Sequence, residues 1–470
     1  MTQISKIVAI LAFLMAAGCQ DSYPVQVPPL DAFYFPTGIA VRSYPGPASA
    51  GGRSELVVVS SNFDLRYDSR TGGTVVAVDP DLSGDADVNG PLAVLGGYRM
   101  ASFGGEVEIA DATCAPLAAA DPAVAAGGAK VVVASRSAQT LYRIDMDAAG
   151  ALSGDAGTST VLPVQLIDPY GVTVQCSTRA GLSQAYAFVT HLFAPGNTGI
   201  LSRLDLVTGV FDVIVLGVPP TYHSTFDPDT GKLFVTSKFG LGAPLRWVDP
   251  LLFPATGSGE YAPVVGGKDL TRFISGGLTR DTALSTDRQR LYVNFELVDV
   301  DTALRIGVII PQGGGIGVFD LRPNPVNQPD LQLVSLVPTC LGSGQIKVLP
   351  GRPGKRDLVA VTCDTQGILV LYDDEAGNVV STVGLDTGTG LPKLGRLPFG
   401  LATEAIDPSR ATPATVPPNP AYRPSPCGPQ SQACARIYVA SFAQSWVNIL
   451  ELDPAHPDQV ALVKRIGGPP

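Results

Sequence analysis

Leu291-Tyr292-Val293-Asn294-Phe295-Glu296, LYVNFE in one-letter code, is a run of aromatic and β-branched residues that breaks into polar side chains. The same short strand recurs as VVVSSN from Val57, VVVASR from Val131, AFVTHL from Ala187, LFVTSK from Leu233, VAVTCD from Val359 and IYVASF from Ile437. Short apolar runs of this composition fit buried strands. Seven copies in 470 residues mark stacked supersecondary units rather than independent domains.

Outward from each copy the pattern continues. Past a turn comes a second strand closed by an acid: VVAVD at Asp79, LYRID at Asp145, LSRLD at Asp205, LRWVD at Asp249, IGVFD at Asp320 and LVLYD at Asp373, with Glu451 in the seventh slot. An apolar segment precedes each pair, often opened by Pro-aromatic-Gly or a relative of it, as in PTGIAV at Pro36, PYGVTV at Pro169 and PFGLAT at Pro398. A fourth follows, such as PLAVL at Pro91 or LQLVSL at Leu331. Four antiparallel strands in seven units predict an all-β chain, a seven-bladed β-propeller of four-stranded antiparallel blades, whose radial repetition leaves only short edges exposed. Turn residues agree, with Asp, Pro and Gly in FDPDTGKLFV from Phe226.

The strands LYVNF and LFVTS resemble the YVTN-type β-propeller repeats, over residues 31–470. That resemblance implies the fold and leaves function open, since propeller blades carry many unrelated activities.

Ahead of the repeats, Lys6 precedes an apolar run from Ile7 to Ala17 that ends at Gly18-Cys19, too short for a permanent span and shaped like a cleaved signal. Residues 1–18 are therefore expected to be a signal peptide, 19–30 a lipid anchor and tether, and 31–470 the propeller. Ala16-Ala17-Gly18-Cys19 resembles a bacterial lipobox, which implies that Cys19 is acylated and becomes the mature N-terminus. Gln20, where an inner-membrane retention signal would place Asp, points to the outer membrane of a bacterial cell envelope.

A net charge of −10 argues against nucleic acid or an anionic lipid surface as partner, because either needs a basic face. Membrane attachment is expected through the lipid. Beyond Cys19 there are six cysteines, Cys114, Cys176, Cys340, Cys363, Cys427 and Cys434, an even number suited to three disulfides in an oxidising compartment. Cys427 and Cys434 bracket the tip of a Pro-rich insertion, Asp407 to Ala435, and form the most secure pair. Cys340 with Cys363 and Cys114 with Cys176 are plausible among the 15 connectivities that six cysteines allow.

Two places invite a chemical reading. GDADVNG sets Asp85, Asp87 and Asn89 at the spacing of the first half of an EF-hand loop, so calcium is the candidate ion, although the twelfth position is Gly96. LSGDA at Leu82 recurs at Leu152, and turn chemistry alone explains that repeat. The second place is the channel mouth, where the ends of inner and second strands gather Arg136, His191, His223, Lys238, Arg280, Asp281, Glu296 and Asp364. Of these, His191, His223, Arg280 and Asp281 are the candidate ligand-binding residues, set against the alternative of solvated loop ends.

No GxSxG, HExxH or P-loop occurs. The sequence reads as an envelope lipoprotein whose propeller binds or scaffolds an envelope protein, a glycan or a small ligand, with no cofactor required. The alternative is a channel-mouth hydrolase of the lactonase type. YVTN-like relatives include lactonases, and gluconolactonase-type propellers hold a divalent metal on channel acids. Glu106, Glu108 and Asp281 are the acids near that position, without the family motif around them.

Overall fold

Strand β3 (Gly73–Val78) is buried along its whole length, as is β2 (Arg53–Ser60) after its first residue. Alternation explains why these strands are apolar on both faces. Val57, Val59, Val75 and Ala77 pack against Val131, Val133 and Ile144 of the next sheet. Leu56, Val58, Val76 and Val78 pack instead against Tyr438, Ala440, Val447 and Ile449 of the last sheet. Each sheet is thus wedged between two others, which buries its middle strands on both faces.

The structure, a computed structural model, describes residues 26–44, 52–153, 159–161, 168–179, 182–193, 199–216, 219–237, 244–250, 264–269, 277–298, 311–321, 331–349, 352, 354–384, 394–413, 421–428 and 430–468. Cys19, residues 1–18 expected as a signal peptide, and Lys238 lie outside the described residues.

Seven sheets follow one another in chain order, each antiparallel with its strands in sequence from the centre outward. Blade I is β1 (Pro36–Tyr44), β2, β3 and β4 (Val94–Met100); the last begins three residues later than the segment read at Pro91. Blade II is β5 (Gly104–Ala110), β6 (Ala129–Ser135) and β7 (Thr140–Met146), with two short strands, β8 (Leu152–Ser153) and β9 (Ser159–Val161), sharing the outer place. Blade III runs β10 (Pro169–Arg179), β11 (Leu182–His191), β12 (Ile200–Asp205), β13 (Phe211–Val215). Blade IV runs β14 (Ser224–Asp227), β15 (Lys232–Thr236), β16 (Pro244–Val248), β17 (Val264–Asp269). Blade V runs β18 (Gly277–Leu284), β19 (Arg290–Val298), β20 (Pro311–Asp320), β21 (Gln332–Pro338). Blade VI runs β22 (Ser343–Leu349), β23 (Leu358–Cys363), β24 (Ile368–Asp373), β25 (Asn378–Val383). Blade VII runs β26 (Pro398–Ile406), β27 (Cys434–Ser441), β28 (Trp446–Leu452), β29 (Ala461–Gly467). Innermost strands touch in order, and β26 returns to β1, so the ring closes.

The acid that ends each third strand has a local reason. Asp79 accepts the N–H groups of Asp81 and Leu82, Asp205 those of Val207 and Thr208, and Asp373 those of Glu375 and Ala376. These are Asx-type turns that start the outer hairpins. All three expected disulfides are present: Cys114–Cys176, Cys340–Cys363 and Cys427–Cys434. The first ties blade III to the short helix α1 (Ala115–Ala120), which with α2 (Pro122–Ala125) fills the β5–β6 connection.

Among the described residues no strand of blade VII comes from the N-terminus, and side chains reinforce the seam between blades VII and I. Arg436 reaches Asp81 (2.6 Å) and Glu451 (2.8 Å), and Arg410 also pairs with Asp81 (2.6 Å). Ser54 donates to Glu404 (2.6 Å). The Pro-rich insertion takes part, since buried Tyr422 donates its hydroxyl to Asp85 (2.8 Å).

Candidate functional site

The innermost strands share one irregularity. Near its start each carries an extra residue against the second strand, as between Pro36 and Gly38, Gly104 and Val107, Pro169 and Val172, Thr279 and Thr282, Ser343 and Ile346, and Pro398 and Gly400. In blade IV, Tyr222 and His223 both bond Thr236, which repeats the feature. A β-bulge re-aims side chains, and such bulges concentrate next to sites. The ladder register aligns the residue that follows the bulge in all seven blades: Gly38, Glu106, Gly171, His223, Asp281, Gln345 and Gly400. Three blades keep the Gly of Pro-aromatic-Gly. A Cβ on Gly38 would sit 2.5 Å from the Gly105 carbonyl oxygen of the next blade, which explains that choice. The other four blades put polar groups in the slot.

Those four meet. His223 Nδ1 lies 2.5 Å from Asp281 Oδ1, and His223 Nε2 lies 3.3 Å from Glu106 Oε2. Gln345 donates to Glu106 Oε1 (3.0 Å) and accepts from the Leu401 N–H (2.7 Å). Asp281 accepts from the N–H groups of Thr282 (2.7 Å) and Ile346 (3.0 Å). One layer nearer the mouth, Tyr170 and Tyr222 stack at 5.1 Å, and Arg280 lies over Tyr222 while donating to Glu296 (2.8 Å).

Burial sets the titration. Desolvation pushes the Glu106 carboxyl up to about 7, with the Asp281 charge adding and His223 opposing. For His223 desolvation works downward, and the Asp281 and Glu106 charges outweigh it, so its pKa is raised. For Asp281 desolvation works upward, and the His223 charge and hydrogen bonds win, so its pKa is lowered.

The structure therefore corrects the view of these residues as an open, solvated mouth. Glu106, His223 and Asp281 are 7%, 4% and 1% exposed, so their charges face one another and the next blade's backbone. His191 is apart from them, buried in blade III against Ser202 (2.8 Å). Arg136 pairs with Asp168 at the rim. Gln345, Tyr170 and Tyr222 escape motif reading, although their slots can be read from the Pro-aromatic-Gly alignment.

The Asp-rich loop of blade I faces cations. Asp87 lies 3.2 Å from Arg465, and Asp85 accepts from the Asp87 N–H (2.9 Å) as well as from Tyr422. Asn89 is left-handed (φ 53°) and ends a short 3₁₀ turn. Among the described residues no group of three or more His, Cys, Asp or Glu is arranged to hold a metal ion.

At the face where inner strands begin, the residue before the bulge is left-handed in four blades: Phe35 (φ 49°), Phe103 (φ 56°), Asp168 (φ 63°) and Leu397 (φ 57°). Non-glycine residues adopt this conformation at a cost of about 1–3 kcal/mol each, and such residues cluster at functional sites. Each is held through its carbonyl, which accepts the N–H of Ser61, Arg136, Leu192 or Phe442. The geometry turns large apolar side chains outward. Phe63 stands against Phe103 (5.9 Å), Phe442 (5.2 Å) and Phe35 (6.2 Å), and Phe399 against Phe442 (6.1 Å). Of these rings Phe63, Phe103, Phe399 and Phe442 enclose, with Tyr170 and Leu397, a recess of about 210 Å³ that Arg136 borders.

No family model matches this chain, and no curated protein matches it. Among solved structures it is similar to Kuenenia stuttgartiensis hydrazine synthase, at 11% identity over 93% of this chain and 99% of that one, TM-score 0.51. It is also similar to a functionally unknown protein from Desulfotomaculum acetoxidans (13% identity, 74% and 85% covered, TM-score 0.45) and to the Pseudomonas aeruginosa periplasmic gluconolactonase PpgL (15%, 74% and 84%, TM-score 0.44). At such identities the likeness is one of fold. The architecture is a seven-bladed β-propeller.

Proposed function

We propose that this propeller is a binding module of the cell envelope that takes an aromatic or aliphatic group of its partner into the recess of Phe63, Phe103, Phe399 and Phe442. One observation carries the reading: three backbone positions spend strain to turn Phe35, Phe103 and Leu397 toward this face, where Phe63 is left 57% exposed. Aromatic pockets with a polar rim are the usual anchors of binding energy. A lactonase-type reaction would need Glu106, His223 or Asp281 to touch substrate, and their pairing with one another, with Gln345 and with backbone N–H groups disfavours it. The three disulfides support an oxidising compartment. The Gly18-Cys19 sequence supports attachment through an acylated Cys19 to the outer membrane, with an envelope protein or glycan as partner. The test is capture from detergent-solubilised envelope by wild type and by Phe63→Glu. The partner should vanish with the variant while the melting temperature holds; an unchanged profile overturns the proposal.

A further inference from the structure

On the opposite face, where the inner hairpins turn, a cavity of about 350 Å³ opens between blades V and VI. That volume lies at the low end of the roughly 300–1,000 Å³ of small-ligand sites. Its floor holds Tyr292, which is fully buried, and Asp374, which is 3% exposed. Among the described residues, Tyr292 Oη, Asp374 Oδ2 and Arg352 Nε are buried without a hydrogen-bond partner. Buried polar atoms are almost always paired, and leaving one unmet costs about 1–3 kcal/mol. Three of them around one cavity, a donor hydroxyl, an acceptor oxygen and a donor guanidinium, describe what an occupant must present.

The neighbouring contacts narrow the occupant. Arg290 already satisfies Asp374 Oδ1 (2.6 Å), and Arg352 is paired to Asp373 (2.7 Å), so these four charges cancel and the unmet atoms among them call for neutral hydroxyl groups. Asp357 lines the same cavity and has a raised pKa, first because it is buried and further because Asp287 and Asp374 lie near. The rim differs. Lys355 and Arg356 are exposed there, and among the described residues neither is paired with a carboxylate, on a chain whose net charge is −10. Two free cations above a floor of hydroxyl-seeking atoms match a ring with several hydroxyls and one carboxylate.

We infer that the cavity between blades V and VI binds a sugar acid, with ring hydroxyls against Tyr292 and Asp374 and the carboxylate against Lys355 and Arg356. The site is independent of the aromatic recess, which lies on the other face. The probes are D-glucuronate, D-glucose as its neutral twin and acetate as the carboxylate alone, titrated calorimetrically into the mature protein. D-glucuronate should bind saturably, and glucose and acetate at least about tenfold more weakly, tenfold being about 1.4 kcal/mol. Tyr292→Phe removes a hydroxyl that stands beside Asp374 without a well-formed hydrogen bond in the free protein, so it should change the melting temperature little and lose about tenfold in affinity. Lys355→Glu with Arg356→Glu should abolish the preference for D-glucuronate over glucose. Phe63→Glu should leave all of these affinities unchanged. Absence of saturable D-glucuronate binding, or binding indifferent to both sets of variants, overturns the inference.

Discussion

Replacing Glu106 by Gln should flatten the dependence of stability on pH. The wild-type carboxyl is raised from 4.5 to about 7 by burial, so between those values the folded state holds a proton that the unfolded chain has lost. Stability gained from that proton is full below pH 4.5 and disappears as pH rises through about 7. At about 1.36 kcal/mol per pKa unit the shift is worth on the order of 3 kcal/mol, most of it lost between about pH 5 and pH 8. His223 acts in the same direction: its raised pKa gives stability that is present below 6.5 and lost as pH climbs through the folded value. Asp281, lowered, matters only as pH falls below 3.8, outside this window. Gln at 106 still accepts from Gln345 and cannot titrate. Denaturant unfolding at about pH 5 and pH 8 should show wild type weaker at the higher pH by about 2–3 kcal/mol from Glu106, and the variant should lose that share. A variant with the full wild-type difference would refute the assignment of that proton to Glu106.

Other outcomes follow from the same contacts. Asp281→Ala strips two backbone N–H groups of their acceptor and leaves His223 without its nearest counter-charge, so unfolding should cost about 3–5 kcal/mol less, where a solvated loop end would change it by less than about 0.5. Arg436→Ala removes the counter-charge of buried Glu451 within blade VII and of Asp81 across the seam to blade I. It should cost about 3–5 kcal/mol, and proteolysis should nick near the seam; a loss under about 1 kcal/mol would mean that apolar packing alone closes the ring. Opening Cys114–Cys176, which spans 62 residues, should cost about 4 kcal/mol by chain entropy, read as a fall in the guanidinium midpoint. Cys19→Ser should move the protein from the membrane to the soluble fraction, and a variant still sedimenting with membrane would remove the anchor from the account.

The blades were legible because buried strands need unbroken apolar runs and their turns need Asp, and both requirements repeat at Asp79, Asp205 and Asp373. Cys427–Cys434 was legible from its place at the tip of the Pro-rich insertion, whereas Cys340–Cys363 and Cys114–Cys176 stood as plausible pairings that the ring's geometry selects. Channel residues were partly so: His223, Arg280 and Asp281 stand out as charges at strand starts, but nothing local says that bulges bury them against Glu106 and Gln345. The seam was not legible, since Arg436 and Asp81 stand 355 residues apart and pair only once the ring closes. Nor was the recess, because left-handed Phe35, Phe103 and Leu397 contradict the propensity of their own side chains and are held by bonds from second-strand ends.

The binding claim is tested most directly by photocrosslinking. A photoreactive phenylalanine analogue at position 63, inside the recess, is compared with one at position 334, exposed on outer strand β21. In intact cells position 63 should give one dominant crosslinked product, lost when Phe442→Ser is added, and position 334 should give none of it. Equal crosslinking from both positions, or the product from position 334 alone, would contradict a partner seated in the aromatic recess.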